Sequence, residues 1–285
     1  MTDLLSPIIA GQSPTGAFLS TVNIRGRSYP DWNSFTTAQV LRALNGAVES
    51  TDLATLRERA LNFLLRCESP VLPGAFSFWP KGFHPSWIYE LPEDADDTAV
   101  IGIELARQGC LDRKTLCKIA CKVLVSHRLR RIHSPAPPWL RPGVFLTWLR
   151  QGPRPNVVDC CVNANVAAFL AYAGLQHLPG FQEACEMIEA GIRWAGSSWS
   201  RARSLVPFYP HPIELFYAVA HAVQCGAEPL AMSLDLMHGL EWATEEKDTL
   251  RDDRPICGSA YGHIIWTSSV LQTARKIVGR QNESK

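Results

Sequence analysis

The chain has almost no excess of charge of either sign, and this shortage narrows its range of partners. The 28 Lys and Arg residues are balanced by 27 Asp and Glu residues, which gives a formal net charge of +1. The longest run rich in Lys and Arg is the four-residue stretch Arg128–Arg131. Neither feature attracts a polyanion along the chain as a whole, so we expect no nucleic-acid partner.

Long apolar runs are also missing. No apolar window approaches the ~20 residues that a helix needs to span a bilayer. The segment Met1–Gly16 contains an acid, no early base and an apolar run that is broken at Pro7 and Gly11, which predicts neither a secretory signal nor a membrane anchor. Nine cysteines at irregular spacings then predict reduced thiols in a cytoplasmic protein, most of them small core residues.

Strand patterns of alternating polar and apolar residues are nearly absent, and helical periodicity dominates. A chain of 285 residues, 46% of them hydrophobic, can bury a large core, and we expect one all-α domain over residues 1–285. Five units are predicted, each a helix rich in small residues followed by an amphipathic helix. The first helices are predicted at Ser34–Leu44, Asp96–Gln108, Val162–Ala173, Ile213–Cys225 and Gly262–Lys276. Their partners are predicted at Leu53–Arg66, Arg113–His127, Phe181–Trp194 and Glu228–Thr244, and the fifth first helix has no partner.

The first helices share a short signature, a polar residue followed by Ala, as in Thr37-Ala38, Thr98-Ala99 and Asn163-Ala164. Small residues let helices approach closely, and stacked helical hairpins bury a continuous core that one hairpin cannot. We predict an α/α toroid whose first helices line a central cavity. The alternative is an open α-solenoid that binds a partner on its concave face; long aromatic loops before the first helices favour the toroid.

Aromatic residues concentrate in those loops. A single aromatic usually braces a turn by burying ~150–250 Å². A group of them beside a carboxylic acid instead predicts an apolar cavity whose ring faces stabilise a cation. The candidates for the cavity lining are Trp79, Trp87, Tyr89, Phe208, Tyr209 and Trp266.

The segment Asp94–Ala99 places three carboxylates in four positions at the start of a predicted helix. Acidic residues are common at helix starts because of the macrodipole, which makes a solvated helix start the ordinary interpretation. The crowding of the three carboxylates favours a second interpretation. Two charges ~5 Å apart at an effective dielectric near ~20 repel by about 3 kcal/mol, enough to raise one pKa by about two units. We therefore expect one aspartate to keep its proton near neutral pH, oriented by its neighbours.

These six residues resemble the DxDDTA signature of class II terpenoid cyclases, a family that includes squalene–hopene cyclases and copalyl diphosphate synthases and is built from α-toroid domains. In that family the second aspartate protonates a terminal alkene or epoxide of a polyisoprenoid, and cyclisation proceeds through carbocations until a base removes a proton. The resemblance implies Asp96 as the general acid and Asp94 and Asp97 as supporting carboxylates. It also implies that Thr98 lies in the substrate site.

A second segment, Val162–Ala168, resembles the FNxxRA segment of plant copalyl diphosphate synthases, in which the asparagine hydrogen-bonds the catalytic aspartate. This resemblance implies Asn163 as the partner of Asp96, although the segment lacks the arginine of that motif. A helix N-cap is the alternative for Asn163. Asn165 and Asp159 are further candidates on the same rim.

The chain departs from the family in size. Known class II enzymes usually pair two toroidal domains, whereas 285 residues suffice for one, and the glutamine-tryptophan repeats of squalene cyclases are missing. We therefore expect a hydrophobic polyprenyl substrate of C15–C20 size. Either the single ring holds a complete cavity or a second copy of the chain closes it. A peripheral contact with the membrane is a further expectation. Protonation requires no cofactor and no protein-bound metal, but Mg²⁺ would accompany a diphosphate substrate.

Two competing functions remain open. Asp253, Cys257 and His263 resemble the zinc ligands of protein prenyltransferase β-subunits, which are also toroids, but the Asp-x-Cys pair of that family is absent. The other is a non-catalytic helical-repeat scaffold that binds a lipid or a protein. That function would require the three aspartates to be accidental.

Overall fold

Eleven α-helices and a four-stranded antiparallel sheet make up the part of the chain that the computed structural model describes, residues 2–150, 156–244, 254–260 and 262–282. The helices are α1 (Thr2–Ala10), α2 (Ser34–Ala43), α3 (Thr51–Leu65), α4 (Ala95–Arg107), α5 (Arg113–Ile119), α6 (Cys160–Tyr172), α7 (Phe181–Ala195), α8 (Trp199–Leu205), α9 (Ile213–Gln224), α10 (Ala231–Met237) and α11 (Ser269–Asn282). The strands are β1 (Leu19–Ile24), β2 (Arg27–Trp32), β3 (Pro255–Gly258) and β4 (Ile264–Thr267).

The sheet makes the prediction of an all-α chain, an α/α toroid, wrong. Its strand order is β2-β1-β4-β3, so it joins segments near the two ends of the chain. The β1–β2 hairpin turns at Arg25 and Gly26, which both have positive φ, at 52° and 81°. That geometry belongs to the type I′ turns that favour Gly and match strand twist. Strands β3 and β4 have four residues each, too few for a periodic pattern to show.

The helix predictions differ in accuracy. Helices α2, α4, α6 and α9 begin within two residues of the predicted first helices. The fifth prediction is wrong at its start, because Ile264–Thr267 forms β4 and α11 begins only at Ser269. β-Branched and aromatic residues suit an extended, half-buried strand. The segment Glu228–Thr244 is also not one helix, since α10 ends at Met237 and a separate 3₁₀ turn follows at Glu241–Ala243.

Five helices pack side by side in the order α11, α2, α4, α6 and α9. Gly102 permits the contact between α4 and α6, because a Cβ at that position would lie 2.7 Å from Cε2 of Phe169. Arg275 of α11 forms two hydrogen bonds with Glu214 of α9, at 2.8 and 2.7 Å. This buried ion pair connects the first and last helices of the set.

A repeated hydrogen-bond pattern fixes the starts of α2, α4 and α6. Each helix has an N-cap side chain that accepts a backbone N–H of the first turn, the usual way to satisfy those donors. Four residues later, a second polar side chain accepts the backbone N–H of a phenylalanine that lies 18 to 22 residues earlier in the chain. The N-caps are Asn33, Asp94 and Asp159; the second side chains are Thr37, Thr98 and Asn163; the phenylalanines are Phe18, Phe76 and Phe145. The polar residue of the sequence signature therefore holds a loop in place.

The nine cysteines are all unpaired. Five are buried, namely Cys67, Cys160, Cys161, Cys185 and Cys257, while Cys110, Cys117 and Cys121 are exposed and Cys225 is half-buried. The expectation that most of them are core residues is met by these five. Among the described helices, none combines the length and apolar character needed to cross a bilayer.

Candidate functional site

The acidic cluster starts α4 inside the protein and not at its surface. Asp94 is the N-cap residue, and its Oδ1 accepts the backbone N–H of Asp97 at 2.6 Å. Asp96 and Asp97 occupy the first helical turn. Asp94, Asp96 and Asp97 are only 8%, 7% and 1% exposed. Because buried carboxylates are costly, a solvated helix start does not account for the cluster.

Two uncharged donors hold the carboxyl group of Asp96. Asn165 of α6 donates from Nδ2 to Oδ1 at 2.7 Å, and the hydroxyl of Tyr209 donates to Oδ2. Arg42 of α2 donates from Nη1 to Oδ1 of Asn165 at 3.3 Å. Side chains from two other helices and one loop thus orient the carboxyl group of Asp96.

Burial shifts the proton affinity of the whole cluster. It raises the pKa of Asp94 to about 8, and the charge of Asp96 adds to this shift. Burial raises the pKa of Asp97 well above its usual value, and the charges of Asp94 and Asp96 raise it further. The pKa of Asp96 is also raised by burial, while the hydrogen bonds from Tyr209 and Asn165 and the charge of Arg42 act in the opposite direction. The cluster therefore retains protons at neutral pH.

The opposing influences on Asp96 matter chemically. Burial favours the protonated form of Asp96 before the reaction, whereas the two hydrogen-bond donors and Arg42 stabilise the carboxylate that remains after proton loss. The pKa of Tyr209 is raised well above 10 by burial and by the charge of Asp96. Tyr209 therefore keeps its hydroxyl proton and stays a donor.

The neighbouring loops position the acidic turn through their backbones. Ala95 donates its N–H to the carbonyl of Thr147 at 2.8 Å, and Leu149 donates to the carbonyl of Glu93 at 2.9 Å. Glu93 is buried, accepts a hydrogen bond from Ser69 and pairs with Arg150. The start of α4 is thus fixed from both sides.

Asp159 connects the loop of Tyr209 to this site. It caps α6, and its Oδ2 accepts the backbone N–H of Phe208 at 3.0 Å. Burial raises the pKa of Asp159 to about 7, the hydrogen bond from Phe208 lowers it, and the charge of Asp96 raises it again. Through Phe208, Asp159 holds the adjacent Tyr209 against Asp96.

Asn163 does not contact the acid. Its amide Nδ2 donates to the carbonyls of Phe145, at 3.0 Å, and Asp159, at 2.9 Å, and its Oδ1 accepts the N–H of Phe145 at 2.9 Å. The contact implied for Asn163 is made by Asn165, six residues after the N-cap. Asn163 is not the N-cap either, since Asp159 fills that position. It is the counterpart of Thr98, which likewise accepts a backbone N–H, from Phe76 at 3.0 Å.

Three of the predicted aromatic residues form one cluster around Asp31, in which Trp79 and Trp266 are buried and Trp87 is half-buried. The indole N–H groups of Trp79 and Trp266 donate to Asp31 at 2.9 and 2.7 Å, and the ring of Trp87 lies 6.1 and 6.3 Å from theirs. Burial raises the pKa of Cys257, and the charges of Asp97, Glu214, Asp96 and Asp31 raise it further.

The other aromatic predictions have mixed outcomes. Tyr209 contacts Asp96 directly, and its ring lies 6.0 Å from that of Phe35. Phe208 is half-buried with its ring 5.6 Å from that of Trp148. Tyr89 is 92% exposed, so its assignment to the interior lining is wrong in this structure. A loop residue of this kind can face either way, and the sequence pattern does not distinguish the two.

Several polar residues on α2, α4, α9 and α11 were not among the predicted site residues. Besides Arg42, these are Glu104, which accepts a hydrogen bond from Asn45 at 3.0 Å, and the pair of Glu214 and Arg275. Each interrupts an otherwise apolar helix face. That interruption is the signal that could have indicated them, since charged residues are seldom fully buried without a partner.

The proposed zinc ligands do not come together in the described residues. Cys257 is buried, His263 is exposed, and Asp253 lies outside the described residues. Across those same ranges, no three His, Cys, Asp or Glu side chains are placed to hold a metal ion. A surface depression of about 540 Å³ over the sheet, lined by Thr21, Asn23, Ser28, Pro255, Ile265, Thr267 and Ser269, contains none of the acidic residues.

Comparison with known proteins gives distant structural similarity only. No protein-family model matches the chain, and no curated protein sequence matches it. The type II terpene cyclase MstE from Scytonema, without ligand, matches at 14% identity and a TM-score of 0.46, over 97% of this chain and 94% of that one. A variant of MstE in complex with its substrate, geranylgeranyl dihydroxybenzoate, matches at 12% identity and a TM-score of 0.47, over 99% and 95% of the two chains.

A protein from Actinoplanes matches at 13% identity and a TM-score of 0.42, over 100% of this chain and 97% of that one. Identities and scores this low carry no functional argument.

Proposed function

We propose that this protein is a class II terpene cyclase, in which Asp96 protonates a terminal double bond of a polyprenyl chain. One observation carries the proposal: a buried carboxyl group is surrounded by acidic neighbours and held by two uncharged donors. A structural carboxylate is usually paired with a cation instead. The match of Asp94–Ala99 to the DxDDTA signature supports the same assignment.

The reaction begins with transfer of the Asp96 proton to one carbon of the alkene, which leaves a carbocation on the other carbon and a carboxylate on Asp96. Asn165 and Tyr209 then stabilise this carboxylate through hydrogen bonds that strengthen as the negative charge develops. Asp94 and Asp97 keep their protons, since their own pKa values are raised. The cluster therefore carries one negative charge after transfer and not three.

Ring closure then follows within the chain, as each double bond attacks the cationic carbon. In this proposal the ring faces of aromatic residues stabilise the cation, and exclusion of water protects it from quenching. A base removes a proton at the end, so that the product is an isomer of the substrate. The proton that Asp96 adds is therefore matched by the proton that the base removes.

The substrate that we propose is a C15–C20 prenyl chain, with or without a diphosphate. If the substrate is a diphosphate, Mg²⁺ would reach the site with it, held by the substrate phosphates. We also propose that a second copy of the chain contributes a part of the cavity.

The test is a product analysis with farnesyl diphosphate, geranylgeranyl diphosphate and squalene, followed by phosphatase treatment and mass spectrometry. We expect cyclic isomers from at least one of them. Asp96→Asn keeps the shape of the side chain but removes the acid, and should lower turnover by roughly 10²–10⁴-fold with substrate binding retained.

The matched control is Asp112→Asn. Asp112 is an exposed N-cap of α5, and asparagine caps a helix equally well, so this variant should have normal turnover. Unchanged substrates with wild-type protein, together with a normally folded Asp96→Asn variant, would leave the cyclase proposal without support.

A further inference from the structure

Positive charge is concentrated on one segment of the chain. Residues 110–142 contain eight Lys or Arg residues and one acidic residue, Asp112, although the whole chain has a formal net charge of only +1. The rest of the chain is therefore net negative. This asymmetry does not follow from the proposed reaction.

A row of three lysines begins this segment. Lys114, Lys118 and Lys122 follow one another at intervals of four residues along α5 and the π-helical turn Ala120–Leu124 that continues it. That interval places them on one face, and all three are exposed while Leu116 is buried against the core. Like charges at this spacing destabilise a helix, and in the described part of the chain none of the three forms an ion pair.

A loop with two further cations follows. Arg130 and Arg131 are exposed, and neither forms an ion pair in the described ranges. Ile132 beside them is 37% exposed. Two backbone hydrogen bonds close the loop at its base, from Leu129 to the carbonyl of Val144 at 2.8 Å and from Gly143 to the carbonyl of Leu129 at 2.7 Å.

The loop lies close to the acidic site. From Val144 the chain runs on to Thr147, whose carbonyl accepts the N–H of Ala95 in the acidic turn at 2.8 Å. Trp148 pairs with Asp94 as an isolated β-bridge. The base of the arginine loop is therefore connected to the start of α4 through the short segment that runs from Val144 to Trp148.

We propose that the basic surface formed by Lys114, Lys118, Lys122, Arg130 and Arg131 docks on an anionic lipid membrane, from which the prenyl chain enters the site. This inference rests on the proposed function for its substrate. Clusters of four to eight Lys and Arg residues are suited to anionic headgroups. The exposed Ile132 beside two arginines suits the boundary between headgroups and acyl chains. A prenyl chain dissolves in that same phase, which favours lipid over an acidic protein.

The test is flotation of the full-length protein with vesicles of phosphatidylcholine alone or mixed with phosphatidylglycerol, at low and high salt and without substrate. We expect binding only to the anionic vesicles and release by salt. Each Lys or Arg near such a surface strengthens binding by about fivefold. R130Q/R131Q should therefore lower the partition coefficient by about 30-fold, and K114Q/K118Q/K122Q by about 100-fold.

The matched control is R25Q/R27Q, which removes two exposed arginines from the β1–β2 hairpin and should bind vesicles as the wild type does. Equal binding to neutral and anionic vesicles, or an equal loss in the control, would overturn the proposal. Preference for polyglutamate over vesicles would also overturn it, in favour of an acidic protein partner.

Turnover in detergent separates this inference from the proposed function. If Asp96→Asn abolishes cyclisation in detergent but no variant affects vesicle binding, the membrane surface is disproved and the cyclase stands. If vesicle binding falls in the charge variants but no substrate is cyclised, the cyclase proposal is disproved and the membrane surface stands. If both hold, R130Q/R131Q should raise the apparent KM for vesicle-borne substrate while leaving turnover in detergent unchanged.

Discussion

Asn165 lies between Arg42 and Asp96: it accepts a hydrogen bond from the guanidinium at 3.3 Å and donates one to the carboxyl group at 2.7 Å. The amide can keep this orientation because its oxygen is held by a cation. Its N–H is therefore directed at the acid in both protonation states. The carboxylate formed by proton transfer is the state that gains more from this bond.

Asn165→Ala should lower kcat without unfolding the protein. A hydrogen bond to a charged group contributes ~1.5–3 kcal/mol, which corresponds to a loss of about 10- to 100-fold if it acts in the transition state. Steady-state kinetics would measure it, with circular dichroism to check the fold. A normal kcat would show that Asn165 does not act on the acid.

Asn163→Ala should lower the stability of the protein more than it lowers kcat. The variant leaves the buried N–H and carbonyl of Phe145 without their partner, and each such group costs ~1–3 kcal/mol. We expect the free energy of unfolding to fall by about 2–6 kcal/mol, measured by urea denaturation. A large loss of kcat in a protein of normal stability would contradict this assignment.

Asp94→Asn should make stability less dependent on pH. The folded-state pKa of Asp94 is about 8, above its unfolded value of about 3.9, so the native state binds the additional proton between these values. The resulting stabilisation is complete below about pH 4 and is lost as pH rises through about 8. Asparagine keeps the N-cap but cannot ionise.

Denaturation curves recorded from about pH 5 to about pH 9 would check this, because that range covers most of the window over which the linkage acts. We expect wild-type stability to fall towards the alkaline end and the variant to fall less. Parallel curves would show that Asp94 is not the group that titrates.

Tyr209→Phe should change the pH profile of activity. The hydroxyl of Tyr209 lowers the pKa of Asp96 relative to burial alone, so its removal raises that pKa and moves the alkaline loss of activity to higher pH. The weaker acid should also reduce kcat by about tenfold or more. Tyr172→Phe, on the same helix as Asn165 but without a contact to Asp96, serves as the control and should leave both quantities unchanged.

Asp31→Ala should destabilise the aromatic cluster. The variant deprives two buried indole N–H groups, those of Trp79 and Trp266, of their acceptor, at a cost of ~1–3 kcal/mol for each. Calorimetry should show a clear fall in Tm and tryptophan fluorescence should change. Asp52→Ala, an exposed residue in the first turn of α3, should leave both near wild type.

The helices that carry the acid could be predicted because their signals are local. Asp94–Ala99 and the apolar stripe behind it lie within one helix, and α2, α4, α6 and α9 begin close to their predicted starts. The partner of the acid could not be predicted in the same way. Asn163 and Asn165 differ by only two positions, and which one reaches Asp96 depends on how α6 is rotated against α4.

The sequence by itself determined the helical periodicity, the acidic helix start and the repeated polar residue, because each depends on contacts within a few residues. The tertiary structure decided the rest. Asn165 and Tyr209 are 69 and 113 positions from Asp96, and the sheet pairs β1 with β4 across most of the chain. Such long-range contacts depend on how whole elements pack, and the burial that they produce turns an acidic helix start into a cluster that keeps its protons.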